Sequence, residues 1–322
     1  MKLLVADIGG TNTRFALAET AERIRIFAEQ TTPSREITSL ASLAADFLRG
    51  TRIHPERACF GIAGAVANGE VTTTNLPWRL SERQLGEALG IPLRLINDFE
   101  AAAHGLLHLE TGDWLALQEG TPDPEGAIAL IGAGTGLGEG FLVRSGAGYS
   151  VQPSEGGHAT FAPESERELA LSRYLRQRHQ HVSWERVVSG PGLLEIFEFL
   201  SSGQTNAELT ALREAMSQGD GGPVLSRYAL AHPDSLAGAA LELFASAYGA
   251  QAGNLALTVL ATGGVYVAGG IARELAGWLP RSGFMAAFRG KGRLAALLER
   301  IPVRVILNAD VGLLGAAAVA AG

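Results

Sequence analysis

Asp98 and its neighbour Asn97 close the apolar run Leu93-Arg94-Leu95-Ile96, immediately ahead of a helical stretch. Open α/β sheets place ligands at the C-terminal ends of their strands, and a carboxylate there can accept a hydroxyl proton during group transfer. Asn97 offers a donor and an acceptor to a second hydroxyl. Asn-Asp ahead of a helix also serves as an N-cap, and these two residues alone do not separate the readings. A second polar group lies in Pro153-Ser154-Glu155-Gly156-Gly157-His158. The two glycines let the backbone fold tightly enough for Glu155 and His158 both to turn inward. Glu155 can then accept from two adjacent hydroxyls, and His158 can donate or accept.

Three glycine-rich segments suit phosphate chemistry. In Leu3-Leu4-Val5-Ala6-Asp7-Ile8-Gly9-Gly10-Thr11-Asn12-Thr13-Arg14, a strand reaches Asp7, turns through Gly9, Gly10, Thr11 and Asn12, and enters a second strand. The backbone N–H groups of such a turn can press against a phosphate, with Asp7 placed to hold a water or a metal ion beside it. No Gly-Lys-Ser/Thr follows, so this is not a P-loop. An ordinary Gly-Gly hairpin with a solvated Asp explains this segment equally well. Ile131-Gly132-Ala133-Gly134-Thr135-Gly136-Leu137-Gly138 repeats strand, turn and strand, with Gly134, Thr135 and Gly136 in the turn, and the repetition favours two halves serving one polyphosphate. Neither copy fits G-x-G-x-x-G, which argues against a dinucleotide-binding Rossmann unit. Val265-Tyr266-Val267-Ala268-Gly269-Gly270-Ile271 runs from strand into helix and suits close approach of a flat nucleotide group.

The elements that must position these groups follow from periodicity. Residues 2–31 alternate as three short strands, and Leu40, Leu43, Ala44, Phe47 and Leu48 mark a helix over Thr38–Arg49. A strand at Arg57–Ala63 precedes a helix that Ser81 N-caps and Gly90 closes. The strand Leu93–Ile96 feeds a helix from Phe99 to His108, and the whole order predicts a mixed sheet with helices packed on it. Gln118–Gly126, with Pro122 and Pro124, reads as a connection, which puts a hinge near 109–126. Strands within 127–143 open a second half that becomes helix-rich from Glu164. It ends in a strand at Val303–Leu307 and an Ala-rich helix from about Asp310 to Ala321. Residues 243–272 carry no charge, but Gln251, Asn254 and Gly263-Gly264 interrupt them, so a long buried helix and a buried strand fit better than a bilayer span.

A chain of 322 residues can form two domains with full cores. Against 26 basic residues stand 33 acidic ones, and the net charge of −7 argues against nucleic acid as the main partner. Two local basic groups, Arg173, Arg176 and Arg178, then Arg289, Lys291 and Arg293, read as solvent-exposed helical faces. The single cysteine, Cys59, allows neither an intrachain disulfide nor a cysteine zinc cluster and reads as a buried small hydrophobe. His104 and His108 lie four apart on a helix without the acidic partner of H-E-x-x-H, and read as a surface pair. No G-x-S-x-G elbow supplies a hydrolase nucleophile. The chain opens on a strand, so neither a signal peptide nor a transit peptide is expected, and the expected location is cytoplasmic.

With these segments in this order, the chain resembles the sugar kinase, actin and heat-shock ATPase superfamily. Within it, the chain is similar to the bacterial glucokinases of the zinc-free type, from Leu3 to the C-terminal helix. The resemblance implies an α/β, two-lobed actin-like (ribonuclease H-like) ATPase fold: mixed sheets flanked by helices, with a cleft between lobes. The lobes would be 1–108 and 109–307, with the helix at about 308–322 packing back on the first. It implies ATP-dependent phosphorylation of the 6-hydroxyl of glucose, with Asp98 as the base. Asn97, Asp98, Glu155, His158 and Glu185 would bind the sugar, the Glu155–His158 pair at the far end of the hexose and Glu185 near the anomeric end. Glu185 also reads as a surface carboxylate near a helix start. ATP would lay its phosphates on the Gly9-Gly10-Thr11-Asn12 and Gly134-Thr135-Gly136 turns and its nucleoside against Gly269-Gly270, with Mg²⁺ held by Asp7 through water. A homodimer is the expected assembly. The residues after His158 lack the cysteine cluster of zinc-binding relatives, and no DNA-binding helix pair precedes the first strand. Both features weigh against a sugar-responsive repressor. A kinase for another hexose or an acylated amino sugar is the enzyme alternative. A sugar sensor without turnover is the other, and the intact Asp7, Asp98 and both turns argue against it. Sugar selectivity is expected to reside in Glu155, His158 and Glu185 rather than in the phosphate turns.

Overall fold

Leu3, Leu4, Val5 and Ala6 are all fully buried, because the strand they form has both of its faces covered. The computed structural model describes residues 1–73 and 78–322. It divides into two units, of which the first comprises Met1–Asp113, Val151–Pro153 and Asn308–Gly322. Its elements in chain order are β1 (Lys2–Ile8), β2 (Asn12–Thr20), β3 (Ile24–Pro33), α1 (Leu40–Thr51) and β4 (Arg57–Ile62). Then follow the short strands β5 (Val66–Ala67), β6 (Glu70–Thr72) and β7 (Arg79–Ser81), α2 (Glu82–Leu89), β8 (Leu93–Asn97) and α3 (Asp98–Leu106). The main sheet has the order β3-β2-β1-β4-β8, with β1, β4 and β8 parallel and β2 and β3 antiparallel.

Alternation sends the strand residues to opposite sides. Leu4, Ala6, Ile8, Phe15, Leu17 and Phe60 pack with Leu40, Ala44 and Phe47 of α1 and Leu85 of α2. Leu3, Val5, Ala16, Ala18, Cys59 and Ile96 pack with Ala101 of α3 and with Leu313, Ala316, Ala317 and Ala320 of the C-terminal helix (Val311–Ala321). That helix and α3 touch backbone to backbone: a Cβ at Gly105 would overlap the Val311 carbonyl, and one at Gly315 the Ala101 carbonyl. Small residues along the C-terminal helix make this approach possible. In-line pairing carries Asp7 to Gly61 to Ile96 and Ile8 to Ile62 to Asn97, so the C-terminal ends of β1, β4 and β8 finish side by side.

The second unit comprises Trp114–Ser150 and Ser154–Leu307. It contains β9 (Trp114–Gln118), β10 (Ile128–Ala133), β11 (Leu137–Ser145), the ends of β12 (Gly148–Ser154, whose Val151–Pro153 count with the first unit), α4 (Glu166–Arg176), α5 (Gly190–Leu200), α6 (Ala207–Gln218) and α7 (Gly221–Ala231). The long α8 (Leu236–Val259) precedes β13 (Gly264–Ala268), α9 (Gly269–Leu275), α10 (Phe284–Arg289), α11 (Ala295–Leu298) and β14 (Val303–Ile306). The sheet order is β12-β11-β10-β13-β14-β9. Ser235 caps α8 by accepting from Gly238 N at 3.1 Å, and Phe244 and Tyr248 bury themselves in the core below the sheet. Among the described residues, no helix is long and apolar enough to cross a membrane.

Trp114–Gln118, within the region read as carrying the hinge, is a strand, because it pairs antiparallel with β14, far along the chain. Two expectations need correction. The group Arg289, Lys291, Arg293 is not an exposed helical face. The chain leaves α10 at Arg289, Arg289 Nε donates to Gln118 Oε1 at 2.6 Å, and the Lys291 side chain is only 7% exposed, lying along Gly253 of α8. Ser81 holds the N-cap position of α2 but its hydroxyl makes no capping bond.

Candidate active site

In the first unit, Asn97 and Asp98 divide two duties. Asn97 is the N-cap of α3: its Oδ1 accepts from Phe99 N at 2.8 Å and Glu100 N at 3.2 Å, while Nδ2 donates to Gly64 O at 3.1 Å. Its acceptor is thereby committed and one amide hydrogen remains. Asp98 Oδ1 shares the Phe99 N–H with Asn97, accepting from it at 2.9 Å. The Asp98 backbone N–H and the Asn97 side chain also favour the ionised carboxylate. Burial, then the neighbouring Asp7 charge, lifts the Asp98 carboxyl from 3.8 to about 6, against the pull of the backbone N–H groups and Asn97. Burial also raises Asp7, opposed by Arg14, its cross-strand neighbour. Arg14 is fixed by Ala309 O at 3.0 Å, Glu29 at 2.7 Å and Asp310 at 2.6 Å.

The first glycine turn is braced from beneath. Gly9 N donates to Asn12 O at 2.9 Å, and buried Ser34 donates its N–H to Thr11 O at 2.9 Å and its hydroxyl to Gly9 O at 2.7 Å. The N–H groups of Gly10 and Thr11 have no partner among the described residues. The rigid turn therefore presents two free donors, as an anion would require.

In the second unit, Gly134 N donates to Gly136 O at 2.8 Å, and the N–H groups of Thr135 and Gly136 are without partners among the described residues. A side chain at Gly134 would meet open space. The segment around Glu185 folds onto this turn: Leu137 N donates to Glu185 Oε2 at 3.0 Å, and Gly190 N donates to Gly134 O at 2.8 Å. Gly136 must lack a Cβ, which would overlap Glu185 Oε2. Glu185 is thus half-buried rather than a surface carboxylate. His158 lies between two carboxylates, its Nε2 3.8 Å from Glu155 and its Nδ1 3.9 Å from Glu185. The fold therefore brings together all three polar residues read from two separate motifs. It also sets one of them against the Gly134-Thr135-Gly136 turn, so the turn and the polar trio are mechanically linked.

The third glycine segment has φ +91° at Gly269, where a Cβ would stand 2.5 Å from Ala133 O; only glycine fits. Nothing crowds Gly270. Tyr248, which sequence reasoning passed over, accepts from Ala133 N at 3.0 Å and donates to Ala268 O at 3.3 Å, tying the ends of β10 and β13 beside both glycine segments. A polar-tipped aromatic within the uncharged 243–272 run was its trace in the sequence. Burial pushes its hydroxyl pKa up, and pushes the Cys59 thiol up to about 12. His104 and His108 are lowered by burial. Among the described residues, no group of three or more His, Cys, Asp or Glu is arranged to hold a metal ion.

A family model described as Glucokinase matches residues 4–322. A glucokinase from Nostoc sp. (strain PCC 7120) is 44% identical, over 99% of this chain and 98% of its own length. The crystal structure of a glucokinase from an Antarctic psychrotroph superposes with a TM-score of 0.82 at 31% identity, covering 99% of this chain and 98% of that one. A ROK family glucokinase from Streptomyces griseus, solved in complex with glucose and AMPPNP, shares the fold with a TM-score of 0.71 at 22% identity, covering 100% and 99%.

Proposed function

The chain belongs to the glucokinase family, which phosphorylates glucose with ATP, and from that premise we propose which of its residues carry each part of the reaction. Asp98 is the general base at the 6-hydroxyl. One observation carries this: a buried carboxylate at the end of a strand, with its pKa lifted to about 6 against the hydrogen bonds that favour its ionised form. Such a group is ionised at neutral pH, yet basic enough to draw the hydroxyl proton as the phosphoryl group arrives. The remaining amide hydrogen of Asn97 donates to a neighbouring hydroxyl. Glu155, His158 and Glu185 hold the other hydroxyls, supported by their convergence on one imidazole.

The free N–H groups of Gly10, Thr11, Thr135 and Gly136 take the phosphate oxygens, with Gly9 and Gly134 closing the two turns and Asn12 completing the first. The uncrowded Gly270 and the close-packed Gly269 receive the nucleoside. Mg²⁺ fits Asp7, since that ion takes one or two carboxylates together with substrate phosphates and keeps several waters. When bound it neutralises charge developing on the phosphates. The glucose and AMPPNP of the Streptomyces griseus relative support this pair of substrates. A homodimer and a cytoplasmic location belong to the same reading.

Replacing Asp98→Asn tests it. We expect kcat to fall roughly 10²–10⁴-fold, the range for losing a general base. Glucose binding should persist, because the amide still hydrogen-bonds. Near wild-type turnover would remove Asp98 from this role.

A further inference from the structure

Glu139 is an acidic residue that the proposed chemistry does not use. It stands in β11, two positions past Leu137, and is 3% exposed. Its Oε1 accepts from Gln251 Nε2 at 2.7 Å, and Gln251 Oε1 accepts from Asn254 Nδ2 at 3.1 Å. Both amides stand within the largely apolar α8. The other carboxylate oxygen lies against the backbone of Gly156, where a Cβ would overlap it; a Cβ at Gly157 would overlap the Leu137 carbonyl. The turn Gly156–His158 is itself closed by His158 N donating to Glu155 O at 3.0 Å and Ala159 N to Gly156 O at 2.9 Å. A carboxylate anchored on the core helix is therefore the floor on which the Glu155–His158 turn rests. Burial raises the Glu139 carboxyl, against the Gln251 donor. Buried charged groups can often be exchanged for hydrophobic residues without loss of stability, so core filling alone gives no reason for this polar chain.

We infer that Glu139, held by Gln251 and Asn254, is a positioning residue for glucose binding, fixing the turn that carries Glu155 and His158. The inference rests on the proposed sugar contacts of those two residues. Glu139 touches no substrate. A hydrogen-bonded carboxyl has one orientation, whereas an aliphatic side chain beneath Gly156 would leave the turn several.

Steady-state kinetics for glucose and ATP, with thermal unfolding, would be measured on the full chain for Glu139→Gln, Glu139→Leu, Glu139→Leu with Gln251→Leu, and Glu155→Gln. Glu139→Gln keeps an acceptor for Gln251 and should stay within about threefold of wild type in glucose KM. Glu139→Leu should raise glucose KM about tenfold while kcat and ATP KM move roughly twofold or less, as expected of lost preorganisation. The double variant removes the buried Gln251 amide and leaves only the half-buried Asn254 amide to turn to water, so it should recover much of the Tm lost by Glu139→Leu but not the glucose KM. Recovery of glucose KM together with Tm, or equal rises in both KM values, would mean that Glu139 only fills the core. Should Glu155→Gln leave glucose KM unchanged, the sugar-contact reading falls and this inference with it. Should Glu155→Gln raise it while Glu139→Leu does not, only the inference falls.

Discussion

Asp98→Asn should make the folded protein more stable as well as inactive. The ordinary carboxyl pKa of 3.8 is lifted to about 6 by burial and by Asp7. Each tenfold change in proton affinity is worth about 1.4 kcal/mol, so ionised Asp98 costs the fold up to about 3 kcal/mol at neutral pH. Between about pH 4 and 6 the native state holds a proton on Asp98 that the unfolded chain has released. Wild-type stability therefore falls as pH rises through that window and stays reduced above it. Asparagine has no such dependence, still accepts from Phe99 N, and sets a dipole rather than a charge beside Asp7. In urea denaturation at pH 8, Asp98→Asn should be more stable than wild type by about 2–3 kcal/mol, and at pH 4 the two should coincide. In thermal unfolding the gap at pH 8 is several degrees, given about 2–4 °C per kcal/mol for chains of 150–250 residues and less for longer ones. An equal gap at both pH values, or a variant less stable at pH 8, would refute the argument that the base is bought at the expense of the fold.

Gly136→Ala should displace Glu185 from Leu137 N, losing a charge-assisted hydrogen bond of about 1.5–3 kcal/mol and raising glucose KM about 10–100-fold. A rise confined to ATP KM would show that Glu185 makes no sugar contact. Treatment with EDTA should abolish activity and excess Mg²⁺ alone should restore it, since no metal-binding group of three or more side chains exists among the described residues; a requirement for added zinc would contradict this. Gly315→Ala forces a methyl group into the Ala101 carbonyl, and urea denaturation should show a loss of about 1–3 kcal/mol, with unchanged stability showing that the C-terminal helix can yield.

Short-range features were legible in the sequence. Continuous apolar runs marked the strands β1 and β10, glycine-rich turns marked where the chain reverses into β2 and β11, and a polar pair at the end of an apolar run marked Asn97 and Asp98. These depend on the backbone preferences of neighbouring residues, so a few positions suffice to state them. The division of labour between Asn97 and Asp98 was not legible, because it depends on the Gly64 carbonyl that takes the Asn97 amide, 33 positions away. Nor was β9, whose edge pairing with β14 spans most of the second unit. Lys291 shows the same limit from the other side: three basic residues at alternate positions look solvated until the chain leaves α10 and lays one of them along a glycine of α8. Glu185 against Gly136, and Glu139 beneath Gly156, complete the pattern. A polar side chain's type and spacing say what chemistry it could do. Its orientation, pKa and partners come from distant segments that burial brings within a few ångströms, and only the tertiary structure decides those.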